Sequence, residues 1–147
     1  MAENTAIVNG VELPISTKES VEICNFIRNK NLNDAKKMLE NVIKLKVAVP
    51  YKRYNQDTPH RKGRIAAGRF PVKASKEILS LLKSVESNAS HQGLDTNNLV
   101  IKQAIANMGS RQFHYGRKRR IQMKRTHINF IVEERVKENK TAVKNKK

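Results

Sequence analysis

Apolar and polar positions alternate along this chain at two different periods. Residues 6–14 (AIVNGVELP) form a short apolar-rich run closed by Pro14, which predicts a strand or extended edge. Ser16-Thr17-Lys18-Glu19 matches a capping box, with Ser16 covering an amide that Glu19 reciprocates. A helix is expected from there to about Asn29, with Val21, Cys24 and Ile27 on one face. Asn33 or Asp34 can cap a second helix. Its Ala35, Met38, Leu39, Val42 and Ile43 recur at i, i+3, i+4, i+7 and i+8, a single buried stripe that fades by Val47–Val49 and closes at Pro50. The clearest helix begins near Lys73–Ser75 and runs to about Gln92 on Ile78, Leu81, Leu82, Val85 and Ala89. Gly93 stands where a C′ residue belongs.

The period then changes. Leu99 to Met108 favours a strand, and a second strand is expected from about Ile121 to Glu133, ending in the most β-prone run of the chain, His127–Val132. Between them lies GSRQFHYGRKRRI (109–121), in which Gly116 can supply a positive φ for a tight turn. The pattern predicts an antiparallel hairpin with arms of about 13 residues, long enough to reach roughly 40 Å. Only its base, near Val100, Ile101, Phe130 and Val132, is apolar enough to pack on the helices. The distal part has no core of its own, and a lone two-stranded ribbon is marginal in water, so it is expected to order on a partner. Residues 51–70 show no sustained period and hold two glycines and a proline, which predicts a long loop. The segment after Arg135 (VKENKTAVKNKK) reads as a disordered basic tail.

Composition narrows the classes. At 147 residues one compact domain is expected, able to bury roughly 68–70% of its unfolded surface. The apolar fraction of 38% is low, so part of the chain is not expected to form core. No apolar run approaches the roughly 20 residues of a transmembrane helix. The first ten residues lack the basic and apolar regions of a secretory signal. Cys24 is the only cysteine, which excludes an internal disulfide and a cysteine-based zinc cluster and fits a reducing compartment.

Charge changes the picture most. Lys and Arg number 30 against 13 Asp and Glu, a net +17. Residues 1–50 carry a net +1 and residues 74–100 a net −1, whereas residues 51–73 carry +6 and residues 101–147 carry +11. No acid occurs between Asp57 and Glu77 or between Asp95 and Glu133. A solvated helix face mixes signs; long acid-free basic stretches suit contact with phosphates, which carboxylates would oppose.

Two constellations carry this charge. From Arg111 to Arg125, seven of fifteen residues are basic (Arg111, Arg117, Lys118, Arg119, Arg120, Lys124 and Arg125), with Phe113, His114 and Tyr115 interleaved. Arg forks grip phosphates and aromatic rings stack on unpaired bases, so RNA contact is expected; an exposed basic turn or an import signal at RKRR is the plainer alternative. Lys52, Arg53, Arg61, Lys62, Arg64 and Arg69 form the second patch, beside Tyr51, Tyr54 and Phe70. Phosphate contact is expected there too, although Tyr51 and Phe70 also suit the edge of a core. Gly63–Phe70 resembles half of a phosphate-binding loop, but Arg69 and Phe70 replace the required Lys and Ser or Thr. His60, His91, His114 and His127 lack ligand spacing, and no metal or other cofactor is expected. Cys24 lacks a nearby base and reads as a core residue. No carboxylate cluster stands beside the basic surface, as a metal-dependent nuclease would need, so no catalytic residue and no enzyme is expected.

Segments VAVPYKRYN (47–55), GRFP (68–71), VESNA (85–89), GLDTNNLVI (93–101) and KRTHI (124–128) together resemble the universal large-subunit ribosomal proteins of the L twenty-two family, known as L seventeen in eukaryotes. The likeness runs from about Leu13 to Glu134, and PYKRYN is closer to the archaeal and eukaryotic branch. It implies an α+β domain over residues 1–134: three helices packed on a small antiparallel sheet, a basic loop at 51–72, and a long protruding hairpin at 100–131 followed by the tail at 135–147. It also implies a structural constituent of the large subunit, bound to rRNA and to neighbouring ribosomal proteins, in the cytoplasm, with nuclear or nucleolar assembly if the source is eukaryotic. Carried over by position, the tip at Gln112, Phe113, His114, Tyr115 and Gly116 would line the polypeptide exit tunnel, where a nascent polypeptide passes. Neither a membrane nor a small-molecule substrate is implied. The segment from Gly109 to Ile128 is several residues shorter than in the family, which bears on how far the tip reaches. A different class, an architectural DNA-binding protein with a β-ribbon arm, is the competing expectation.

Overall fold

The computed structural model describes residues 4–135. Strand β1 (Thr5–Leu13) leads into helices α1 (Thr17–Ile27) and α2 (Leu32–Ile43). Two short strands, β2 (Val49–Pro50) and β3 (Gly68–Arg69), close the neck of the basic loop, and α3 (Val72–His91) follows. Strands β4 (Leu99–Met108) and β5 (Thr126–Glu134) complete the fold. The main sheet has the order β1-β5-β4, antiparallel throughout, so the last strand is inserted between the first and the fourth. The architecture is the expected α+β one.

Alternation builds the sheet's two faces. Along β5, Thr126, Ile128, Phe130 and Val132 are buried, and the residues between them are less so. In β4 the register shifts between Ile101 and Gln103, which returns Ala104 to the same inner face as Leu99 and Ile101. The helices cover this face. Ile23 and Ile27 of α1, Leu32 and Leu39 of α2, and Ile78 and Leu82 of α3 close the core over Phe130, all essentially inaccessible to water. The outer edge of β4 is capped by the α1–α2 connection. Asn29, at φ +61, donates its amide to Ile101 O (2.9 Å), and Ile101 N donates to Lys30 O (3.0 Å). This connector satisfies polar groups that an open edge would leave unpaired.

Several local expectations shift. Ser16 occupies the N-cap of α1, but its hydroxyl makes no capping bond, so the predicted box is not formed. Helix α1 ends at Ile27 because Asn29 turns into the left-handed region, and its buried residues are Ser20, Glu22, Ile23, Cys24 and Ile27, with Val21 only half-buried. Helix α2 starts at Leu32 behind Asn31, earlier than predicted, since Leu32 itself is buried and extends the stripe. Helix α3 and β4 lie where the periodicity places them, and Gly93 has the positive φ (+75) of a C′ residue.

The hairpin is the main correction. Its regular ladder stops at Met108 opposite Thr126, so the second arm begins five residues later than the predicted Ile121. Beyond Gly109, the excursion is held by a single bridge between Phe113 and Gln122, by Met123 N to Gln112 O (2.7 Å) and His114 N to Ile121 O (2.9 Å), and by a 3-10 turn at Gly116–Lys118. Gly116 does take a positive φ (+65), though within that turn and not in a two-residue hairpin loop. Like charges facing each other across a ladder destabilise it, and no apolar face compensates here. The predicted tail, apart from Arg135, lies outside the described residues.

Candidate nucleic-acid interface

The basic loop is a folded excursion. Its neck is the β2–β3 pairing, extended by Tyr51 N to Ala67 O (2.9 Å) and by Arg61 N to Ala66 O (2.9 Å). Gly68 is closely packed there: a Cβ would sit 3.1 Å from Arg61 Cγ, 3.2 Å from Ile65 Cδ1 and 3.3 Å from Ala48 Cβ, so those side chains would have to give by a few tenths of an ångström. The second glycine of the half phosphate-loop motif thus serves loop closure, and the first, Gly63, takes a positive φ (+117) within the loop. Tyr51 is buried as part of the core, in keeping with the plainer reading, and Phe70 is half-buried under the Arg61 guanidinium, 5.4 Å from its ring centroid.

The loop is pinned to α1 by a residue that the sequence did not single out. The Glu22 carboxylate is buried, and it accepts amide hydrogens from Lys52 (3.1 Å), Arg53 (2.8 Å) and Tyr54 (2.8 Å). Three successive backbone donors converging on one anion make a compact nest that fixes the first turn of the loop. The side chains of Lys52 and Arg53 consequently project outward and are exposed.

All thirteen candidate cations lie at the surface. Lys52, Arg53, Arg61, Lys62, Arg64, Arg69, Arg111, Arg117, Lys118, Arg119, Arg120 and Lys124 are exposed, and Arg125 is half-buried. Three of their guanidiniums also donate to backbone: Arg61 Nε to Gly68 O (3.1 Å), Arg69 Nη2 to Asp57 O (3.3 Å) and Arg125 Nη1 to Glu12 O (3.2 Å). The ion pairs among the described residues, Lys36 with Glu86 and Lys102 with Glu133, involve none of the thirteen. At the tip, Phe113 (60% exposed) and Tyr115 (89% exposed) stand in solvent, Gln112 and Gly116 are exposed, and His114 is half-buried. Such rings have no packing role within the fold.

The two basic patches meet. Arg53 and Arg69 of the loop, Lys124 of the hairpin root and Lys18 of α1 line one cleft with Tyr51 and Tyr54. Arg53 lies 5.4 Å and Lys18 5.7 Å from the Tyr54 ring centroid, within cation–π range. Lys18 was missed by the sequence reading because it sits beside Glu19 in a near-neutral segment. The hairpin cations from Arg111 to Arg120 are outside this cleft. Cys24 is buried and its thiol is pushed up to about 12, chiefly by burial, with Arg28 opposing. No group of three metal-ligating side chains occurs among the described residues, and no helix among them is long and apolar enough to cross a membrane.

Comparisons with known proteins identify what the chain is similar to. The chain is 47% identical over 102 residues to the large ribosomal subunit protein uL22 of Archaeoglobus fulgidus, covering 68% of this chain and 66% of that relative. It therefore spans about two thirds of that relative's length. The uL22 of Methanoculleus marisnigri is 47% identical over 109 residues, covering 73% of this chain and 71% of its own. For the uL22 of Nanoarchaeum equitans the figures are 44% over 139 residues, 90% and 80%. The family model described as ribosomal protein L22p/L17e matches residues 8–133, from within β1 to near the end of β5, and the chain belongs to that family.

Proposed function

We propose that this chain is a structural, non-enzymatic constituent of the large ribosomal subunit, held on rRNA by the loop at 51–72 and the excursion at 109–125. Lys52, Arg53, Arg61, Lys62, Arg64 and Arg69 contact RNA from the loop. Arg111, Arg117, Lys118, Arg119, Arg120, Lys124 and Arg125 contact it from the excursion, and the tip at Gln112–Gly116 faces the exit tunnel and the nascent polypeptide within it. Other large-subunit proteins are its neighbours and the ribosome is its location. The relatives above are archaeal, so a nuclear assembly step forms no part of the proposal.

One observation carries the reading: thirteen exposed or half-exposed cations stand on two excursions, and none of them is ion-paired to a carboxylate among the described residues. A surface of that kind repels itself until a polyanion neutralises it. The reading of a β-ribbon arm for DNA has less support, since the distal excursion lacks a continuous ladder. Binding of the purified chain to large-subunit rRNA across a salt series tests the proposal. If on the order of six phosphates are neutralised, log K falls with log salt at a slope of about −4. Affinity that is flat in salt, or that is higher for duplex DNA than for rRNA, overturns it.

A further inference from the structure

We propose that the cleft between the basic loop and the hairpin root seats one backbone phosphate of the bound RNA, received by the Tyr51 hydroxyl, the Arg69 and Lys124 side chains and the first turn of α1. The proposal rests on the RNA-binding reading above and names the part of the RNA that this cleft takes.

Tyr51 supplies the first argument. Its side chain is buried at 6% exposure, and its hydroxyl oxygen has no hydrogen-bond partner among the described residues. A buried donor without an acceptor weakens folding by roughly 5- to 150-fold in equilibrium constant, and a group of this kind calls for a partner from outside the chain, an ion being one. Burial first, and the Glu19 carboxylate second, raise the phenol above its ordinary range, so it remains a neutral O–H donor. An anion is the partner that such a donor suits best.

Helix α1 supplies the second. It opens onto the same cleft through Ser16, Lys18 and Glu19, and Ser16 makes no side-chain cap. The first-turn amides thus keep their partial positive charge, the usual attraction of a helix N-terminus for phosphate. The charge count is the third. Four cations, Lys18, Arg53, Arg69 and Lys124, face two carboxylates, Glu19 and Asp57, for a net +2. That balance suits one or two singly charged phosphodiesters, not the dense charge of a duplex groove. Arg69 is held in place by its bond to Asp57 O, and the Tyr54 ring steadies Arg53 and Lys18.

The test uses the full chain and two variants. The probe is uridylyl-(3′,5′)-uridine, which has one phosphodiester, against uridine, which has none. The dinucleotide is expected to shift the amide resonances of Thr17 to Ser20 and of Tyr51, and uridine to leave them in place. Tyr51→Phe removes the unsatisfied hydroxyl, so the free chain should melt at a higher temperature while binding the dinucleotide about tenfold more weakly. Lys124→Ala, on an exposed residue, should weaken binding without lowering the melting temperature. Equal binding by Tyr51→Phe, absent dinucleotide binding, or shifts confined to residues 109–123 overturns the seat. If rRNA still binds at low salt in any of those cases, the phosphate seat is wrong and the RNA-binding reading stands. If the wild-type chain binds no rRNA at low salt, the wider reading falls.

Discussion

Replacing Glu22 with alanine should release the basic loop from the helical core. The carboxylate holds three amides, at 3.1, 2.8 and 2.8 Å, and is 1% exposed. Charge-assisted hydrogen bonds contribute about 1.5–3 kcal/mol each, but Lys52 and Arg53 are exposed, so their freed amides can recruit water. About 1 kcal/mol per bond is then reasonable, for a total near 3 kcal/mol, at the low end of what breaking a buried charged contact costs. For a domain of this size that corresponds to a fall of about 9 °C in Tm. Glu22→Gln keeps one acceptor oxygen for the Arg53 and Tyr54 amides but presents an NH2 donor to the Lys52 amide. It should lose about half as much, roughly 1.5 kcal/mol. Thermal melts by circular dichroism, paired with hydrogen exchange at the amides of residues 52–54, give the readout. A Glu22→Ala chain that melts within about 1 °C of wild type, or that keeps those amides protected, would refute the nest as the loop's anchor.

Other outcomes follow from the same geometry. Arg119→Ala combined with Arg120→Ala should weaken rRNA binding and reduce the salt slope by about 1–2 while leaving helix content unchanged, because neither residue touches the core; lost helical ellipticity would contradict this. The Cys24 thiol, raised from 9.0 to about 12 by burial, makes stability fall with rising pH. Below pH 9 both states keep the proton, and between about 9 and 12 only the unfolded chain loses it, so Cys24→Ala should flatten the alkaline limb of the Tm–pH curve. Tyr51 adds to the same limb above its ordinary value of 10.0, so the flattening is partial. Thiol modification of native protein should also be slow until the chain unfolds, and fast labelling in native buffer would argue against the burial.

Legibility in the sequence followed the physics of each element. Helix α3 and strand β4 were readable because their apolar residues repeat at one period over ten or more positions. The cap of α2 lies two to three residues before the expected Asn33 or Asp34, because Asn31 has the same capping chemistry and only the burial of Leu32 decides between them. The excursion at 109–125 was legible as basic and as coreless, but propensity alone extended β5 back to Ile121, where clustered charge ends the ladder at Thr126 instead. The partition of charge, read along the chain, located both patches. It could not show that they meet, since the cleft draws Lys18, Arg69 and Lys124 from three distant segments. Glu22 left no trace, because its partners are backbone amides some thirty residues away and no side-chain pattern marks them.

Under the proposed function, the two basic excursions are the surfaces by which this chain is built into the large subunit. Ultraviolet crosslinking of intact large subunits, followed by mapping of the crosslinked peptides of this chain, tests it most directly. The chain should co-sediment with the large subunit, and its rRNA crosslinks should fall within residues 51–70 and 109–125, with Tyr54, Phe113 and Tyr115 among the reactive rings. A chain that sediments free of the subunit, or crosslinks confined to the exposed sides of α2 and α3, would contradict it.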